Sequence, residues 1–363
     1  MSTPTAAAPA APTRPGEENR TDARGALRRT RQRRRIRALA VPVVLLSVAA
    51  LLALLTLCFG SVRLSLDQVL GSLLGIRDNG AVDFIVRDLA GPQVRAALCV
   101  GLALGAAGTI FQQLLRNPLA SPDFVGISAG ASAAAVAGIA VPAFAGASLP
   151  ALAFVGGLVT AAVMYLLAWR DGITGYRFVL IGIGTAAFST GIVGYLLTRT
   201  SLTEARAALH WLTGSIGQAG DAENDVLLVA LIVFVPFIPV LQRMLRTVEM
   251  GDDTARGLGV RMEPTRLALI AVGVLLTSLA TAVAGPIAFV ALVAGPVADR
   301  LLGSARGGIV AAGAVGALLC LVADYVAQYL LPVEVPTGVV TGAVGAPYLL
   351  WLIATTNRRG MGG

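Results

Sequence analysis

The apolar positions of this chain fall in long uncharged runs separated by short segments that carry the arginines. A membrane-spanning helix needs about 20 consecutive apolar residues, so the runs translate directly into elements. Residues 38–59 form the first and 96–115 the second. Residues 124–169 are uncharged throughout but too long for one crossing, and Pro142 and Pro150 divide them into a third and a fourth. Residues 178–198 are the fifth and 226–242 the sixth. Residues 267–298 are again too long, and Gly285-Pro286 splits them into a seventh span and a short eighth. Residues 307–331, interrupted only by Asp324, are the ninth, and 336–356 the tenth. The pattern predicts an all-α polytopic membrane protein with about ten transmembrane helices.

Composition agrees. Only 13% of the residues are charged and the mean hydropathy is +0.78. Soluble domains carry about 25% charged residues, so an ordinary cytosolic enzyme is excluded. Forty-two glycines suit closely packed membrane helices. The net charge of +8 does not point to nucleic acid, because ten of the 28 basic residues lie in the first 37 positions. Residues 1–37 are rich in Ala, Pro, Thr and Arg and end in RRTRQRRRIR. They are expected to be a disordered cytoplasmic tail that anchors the first span from the positive side. With that tail inside, the inner segments hold 22 arginines and the outer ones six. Residues 38–357 then form the membrane domain, with both termini cytoplasmic.

The basic residues are all arginine. Without lysine the chain holds neither a P-loop nor a Schiff-base site, so it is not expected to be an enzyme, and any ATP is hydrolysed on another chain. One histidine and three cysteines without paired spacing (Cys58, Cys99, Cys320) give no metal centre.

Four segments stand out. RNPLASPDFVGISAGAS, Arg116 to Ser132, holds two prolines that forbid a continuous helix, and Asn117, Ser121 and Asp123 suit the broken ends. On the residues alone, the plainer reading is a tight turn into a small-residue packing helix. VEMGDDTARGLGVRMEPTR, Val248 to Arg266, is the longest charged stretch inside. Gly251-Asp252-Asp253 looks like a helix start, and residues 254–259 a short helix closed by glycine. A solvated loop fits as well as a helix that docks in a groove on a soluble partner. His210 beside Trp211 reads as a surface or packing histidine. Asp324 within a span is a proton-site candidate, although a hydrogen bond to a neighbouring helix explains it equally.

Taken together, NPLASPDFVGISAGAS, WLTGSI, GDDTARGLGV, AGPIAFVAL and VEVPTGVVTGAVGAPYLLWL, in this order and spacing, resemble the FecCD family of ABC importer permeases. That family takes up ferric siderophores, haem and cobalamin, and this chain looks most like ferric-catecholate (enterobactin-type) permeases of actinobacteria. The resemblance covers about residues 38–357 and implies a type II ABC importer permease fold. It implies a permease dimer, an ATPase dimer carrying ATP and Mg, a substrate-binding lipoprotein and a ferric siderophore as cargo. No cofactor or metal is expected on this chain, and no nucleic acid as partner.

By the resemblance, Gly251, Asp252, Asp253, Thr254, Ala255, Leu258 and Gly259 belong to the ATPase-coupling loop at about 248–262. Asn117, Pro118, Ser121, Pro122 and Asp123 become candidates for the pathway, and Thr174, Gly175 and Tyr176 fall where the family has its cytoplasmic gate. The chain departs from the family before its second helix. Ala90 and Gln93 stand where arginines that dock the binding protein are usual, leaving Arg87 and Arg95 as flanking docking candidates. Near the end of the eighth helix, Gly295, Pro296 and Asp299 replace the usual Pro-His and arginine, with Arg300 one position late. The missing arginines favour a heterodimer whose partner permease keeps them. The rival readings are a proton-coupled secondary transporter using Asp324 and a membrane scaffold that recruits a partner through its basic tail.

Overall fold

The computed structural model describes residues 17–60, 62–76, 79–123, 125–144, 148–169, 175–218, 220–303 and 308–360. Among these, regular structure is helical, apart from one isolated bridge between Phe59 and Arg63. We number the helices α1 (Glu17–Cys58), α2 (Leu66–Leu73), α3 (Gly80–Leu114), α4 (Ile127–Ala140), α5 (Leu149–Ala168), α6 (Gly175–Arg199) and α7 (Leu202–Leu212). They continue as α8 (Asp221–Glu249), α9 (Asp252–Gly257), α10 (Met262–Ala284), α11 (Val290–Leu302), α12 (Ile309–Leu330) and α13 (Thr337–Gly360). Apart from the short α2, α7 and α9, these helices follow the ten runs in order. Seven are long and apolar enough to cross a membrane, and α4 and the apolar part of α13 are shorter apolar helices.

The boundaries differ from the runs where charge or proline misled the count. α1 reaches upstream to Glu17, so the basic stretch from there continues the helix instead of forming an irregular tail; residues 1–16 lie outside the described residues. Arg, Ala and Glu are good helix formers, and the apolar span supplies the costly nucleus. α3 begins at Gly80, well before the uncharged run. A widened turn, Phe84–Ala90, precedes Gly91-Pro92 and lets the helix pass the proline. α8 extends beyond its run at both ends, and a tighter turn at Val235–Phe237 absorbs Pro236. The division at Pro142 and Pro150 holds: α4 ends at Ala140 and α5 begins at Leu149.

α3 occupies the centre, packed on α8, α10, α11 and α12. Its apolar window is 83% buried, against 11% for α6. Small residues make the close approach. A Cβ at Gly101 would overlap the Gly316 carbonyl of α12, one at Gly105 the Ala312 carbonyl, and one at Gly108 the Ala291 carbonyl of α11. With lipid tails as apolar as any side chain, such close backbone packing is what drives helices together in a bilayer. The α4–α5 pair uses the same device, with Gly130 against Thr160 and Gly156 against Ala134.

Candidate functional site

Two polar clusters form at the two ends of the part of α3 that follows its Gly91-Pro92 turn. The first is on the arginine-rich face. Gly251, at φ +97°, turns the chain out of α8 and opens α9 with Asp252. The short helix therefore runs Asp252–Gly257, two residues earlier than the sequence suggests. Leu258 ends it, and Gly259, at φ +81°, turns the chain towards α10. Ala255 is fully buried against the bundle, whereas Asp253, Thr254 and Leu258 are exposed, as is Met250 just before α9.

Asp252 faces inward. Arg266, in the first turns of α10, donates one nitrogen, Nη2, to both carboxylate oxygens at 2.8 and 2.7 Å. Arg116, just beyond α3, donates its Nη2 to Asp252 at 3.3 Å and to the Val248 carbonyl of α8 at 2.6 Å. Arg116 adopts φ +51°, a left-handed conformation that costs a non-glycine residue roughly 1–2 kcal/mol. It sits where a helix terminus usually has glycine: Asn117 N–H returns to the Gln112 carbonyl at 3.0 Å and Arg116 N–H to that of Gln113 at 3.2 Å.

A cavity of about 560 Å³ joins this cluster to the predicted gate. Gly175 and Tyr176 at the start of α6 line it with Arg116, Gly251, Asp252, Asp253, Thr254 and Arg266. Tyr176 is 81% exposed. Thr174 lies outside the described residues. The coupling and gate candidates, 75 residues apart between Tyr176 and Gly251 by their numbering, thus share one cavity.

The loop candidates divide. Asn117 and Pro118 are exposed near Arg116, and the Asn117 side chain accepts from Leu119 N–H at 2.9 Å. Ser121 and Pro122 are buried. Asp123 accepts from the Ser128 hydroxyl at 2.7 Å and that of Ser121 at 3.3 Å, fastening the loop to the start of α4. Burial raises the Asp123 pKa above the ordinary carboxylate range, and the two serine hydrogen bonds oppose the shift. These three residues build the turn into α4 and do not line the cavity.

The second cluster, at the opposite end of α3, gathers three of the sequence motifs around Gly214. α10 stops at Gly285, φ +70°, and the freed Ala284 carbonyl accepts from Ser215 N–H at 2.8 Å. Gly338 N–H of α13 donates to the Gly214 carbonyl at 2.9 Å. Gly214, at φ +71°, lies so close to the Pro286 carbonyl that no Cβ fits. Irregular backbone between apolar helices needs its polar groups satisfied by protein, and this loop supplies the partner of the Ala284 carbonyl at the α10–α11 break. Asp324, 2% exposed, completes the cluster. It accepts from Gln93 at 2.9 Å, Gln328 at 3.1 Å and the Thr337 hydroxyl at 2.8 Å. The carboxylate joins α3, α12 and α13 through neutral donors.

Both docking candidates are held within the chain. The Arg87 guanidinium binds the Ser72 carbonyl at the end of α2. Arg95 pairs with Asp221 at 3.3 Å and Asp225 at 2.9 Å on α8. Arg300, the displaced arginine of α11, stacks on Trp351 of α13 with 4.1 Å to the ring centroid. Sequence reasoning missed Arg116 and Arg266, which it counted only as inner charges. It also missed Gln93 as the partner of Asp324 and Gln112, whose amide reaches the Leu292 carbonyl of α11 at 2.9 Å. An arginine next to a helix-ending Asn-Pro was the available signal for Arg116; nothing local marks the others.

Seven helices long and apolar enough to cross a membrane, two shorter apolar helices packed with them, and a short surface helix sharing a cavity with the start of a span mark a polytopic membrane transport subunit. The pattern of the FecCD transport family matches residues 46–355, and the chain belongs to that family. It is 39% identical, over 89% of its length and 98% of the relative's, to the ferric enterobactin transport system permease protein FepG of Escherichia coli strain K12. It is 37% identical to the achromobactin transport system permease protein CbrC of Dickeya dadantii strain 3937, over 90% of this chain and 95% of that one. Among solved structures, an inward-facing conformation of a metal-chelate type ABC transporter matches with a TM-score of 0.76 at 23% identity. The match covers 87% of this chain and 99% of that one, and shows a shared fold.

Proposed function

We propose that this chain is the membrane-spanning permease subunit of an ATP-driven importer that carries a ferric siderophore inward across the cell membrane. The observation that carries the reading is the exposure of Met250, Asp253 and Leu258 on and beside a short helix whose Asp253 lines the gate cavity. Exposed apolar side chains flanking a short helix suit a groove on a soluble ATPase, where ATP and Mg are bound. On this reading the arginine-rich face and both termini are cytoplasmic, and the chain itself performs no covalent chemistry. The names of the relatives, both siderophore permeases, support the cargo class.

A substrate-binding lipoprotein delivers the cargo on the opposite face. Because Arg87 and Arg95 are occupied within the chain, the docking arginines come from a second, related permease, and the assembly is a heterodimer. The proton-carrier alternative is set aside on the relatives' names, both of transport system permeases, and the three donors around Asp324 suit a tie between helices.

The test is a detergent pull-down of the tagged chain from iron-starved cells. Recovery of a P-loop ATPase with a second permease is expected. An ATPase without a second permease overturns the heterodimer, and recovery of no ATPase overturns the importer. Leu258→Glu is expected to cut ATPase recovery at least tenfold while leaving the chain in the membrane.

A further inference from the structure

We propose that Arg116 and Arg266, held together on Asp252, are the positioning residues that transmit movement of α9 to the gate. This deepens the importer reading and rests on it. The geometry assigns each arginine a separate output. Arg266 ties the first residue of α9 to the base of α10. Arg116 ties it to the end of α3, the central helix, and through the Val248 carbonyl to the end of α8. One carboxylate therefore connects the surface helix to α3, α8 and α10. The cavity behind it opens directly onto Gly175 and Tyr176.

Two details separate a transmitting tie from a packing contact. Arg116 stands in the left-handed position that glycine fills without strain, so its side chain serves a purpose that the backbone turn does not need. The contacts also lie at a partly exposed site: the side chains of Arg116, Asp252 and Arg266 are 47%, 32% and 16% exposed. The Arg116–Asp252 pair, with the more exposed arginine and the longer contact, contributes little to stability and separates more readily than a buried cluster. It suits a joint that carries load between two arrangements.

The substitution Arg116→Gly divides the two roles, because it relieves the backbone while removing the tie. Tyr176→Cys gives a gate probe, since the native Cys58, Cys99 and Cys320 are buried. The experiment measures the thiol-labelling rate at position 176 in the purified permease–ATPase complex, with and without vanadate-trapped nucleotide. With the tie intact, trapping is expected to change the rate at least fivefold. Arg116→Gly and Arg266→Met are expected to abolish that change while ATPase recovery stays normal and the Arg116→Gly melting temperature holds or rises. Arg266→Lys is expected to retain the response, because one nitrogen makes both contacts. A full response in Arg116→Gly and Arg266→Met overturns the proposal, as does a probe that ignores nucleotide in the intact chain. Loss of ATPase recovery in the variants alone assigns the arginines to docking and overturns it as well. If the unaltered chain recovers no ATPase, the importer reading itself fails and the tie falls with it.

Discussion

The two ends of α3 are built from the same kinds of group and behave as opposites. At one end a carboxylate, Asp324, is 2% exposed and surrounded by amides and a hydroxyl. At the other, Asp252 is 32% exposed and surrounded by two guanidinium groups. The buried end has no water to replace its partners, so any opening leaves polar groups unsatisfied. The half-exposed end exchanges protein partners for water at small cost. α3 is consequently fastened at the Asp324 cluster and jointed at the Asp252 cluster, with glycine contacts along its middle.

That contrast is open to attack in order of expected effect. Asp324→Leu strands the Gln93, Gln328 and Thr337 donors, and about 3 kcal/mol of stability is expected to be lost. Thermal unfolding of the detergent-purified chain measures it; a neutral result would show that the far end is not fastened by this carboxylate. Next is the middle of the helix. Gly105→Ala places a methyl on the Ala312 carbonyl, with an expected loss of about 2 kcal/mol by the same measurement. An unchanged midpoint there would mean that α3 and α12 do not approach as closely as described.

Smaller effects follow at the charged pairs. Asp252→Asn is expected to cost no more than about 1 kcal/mol of stability, while the nucleotide response of the gate probe is lost. A large stability loss would erase the distinction between the two ends. The smallest change is expected for Arg95→Met. Its partners Asp221 and Asp225 have side chains 70% and 62% exposed, and such pairs contribute about 0.5 kcal/mol. A drop in binding-protein affinity in that variant would instead return Arg95 to docking and weaken the heterodimer argument.

Part of the candidate site was legible before the fold. The segment at 251–259 announced itself by a glycine, two acids and a closing glycine, a local signature of helix ends. What the segment touches was not legible. Asp252 read as an acid at a helix start, and in the fold it turns inward onto two arginines. Likewise Gln93 looked like a lost arginine and is instead a buried donor to Asp324. The glycines of α4 were readable as a packing surface from their density, whereas Gly101, Gly105 and Gly108 were not distinguished from the other glycines of the chain.

The sequence by itself determined the order of the apolar segments and their approximate number, because bilayer thickness sets the length of an uncharged run and proline divides runs that are too long. It also marked the arginine-rich face, and the absence of lysine leaves the chain without a P-loop. Only the tertiary structure decided the partners. Gln93 and Asp324 are 231 residues apart in the chain and Arg116 and Asp252 are 136 apart. No periodicity or local propensity connects such distant groups. They meet because α3 is drawn to the centre by backbone contacts with α11 and α12, and the polar residues at its two ends then bond with what the packing brings to them.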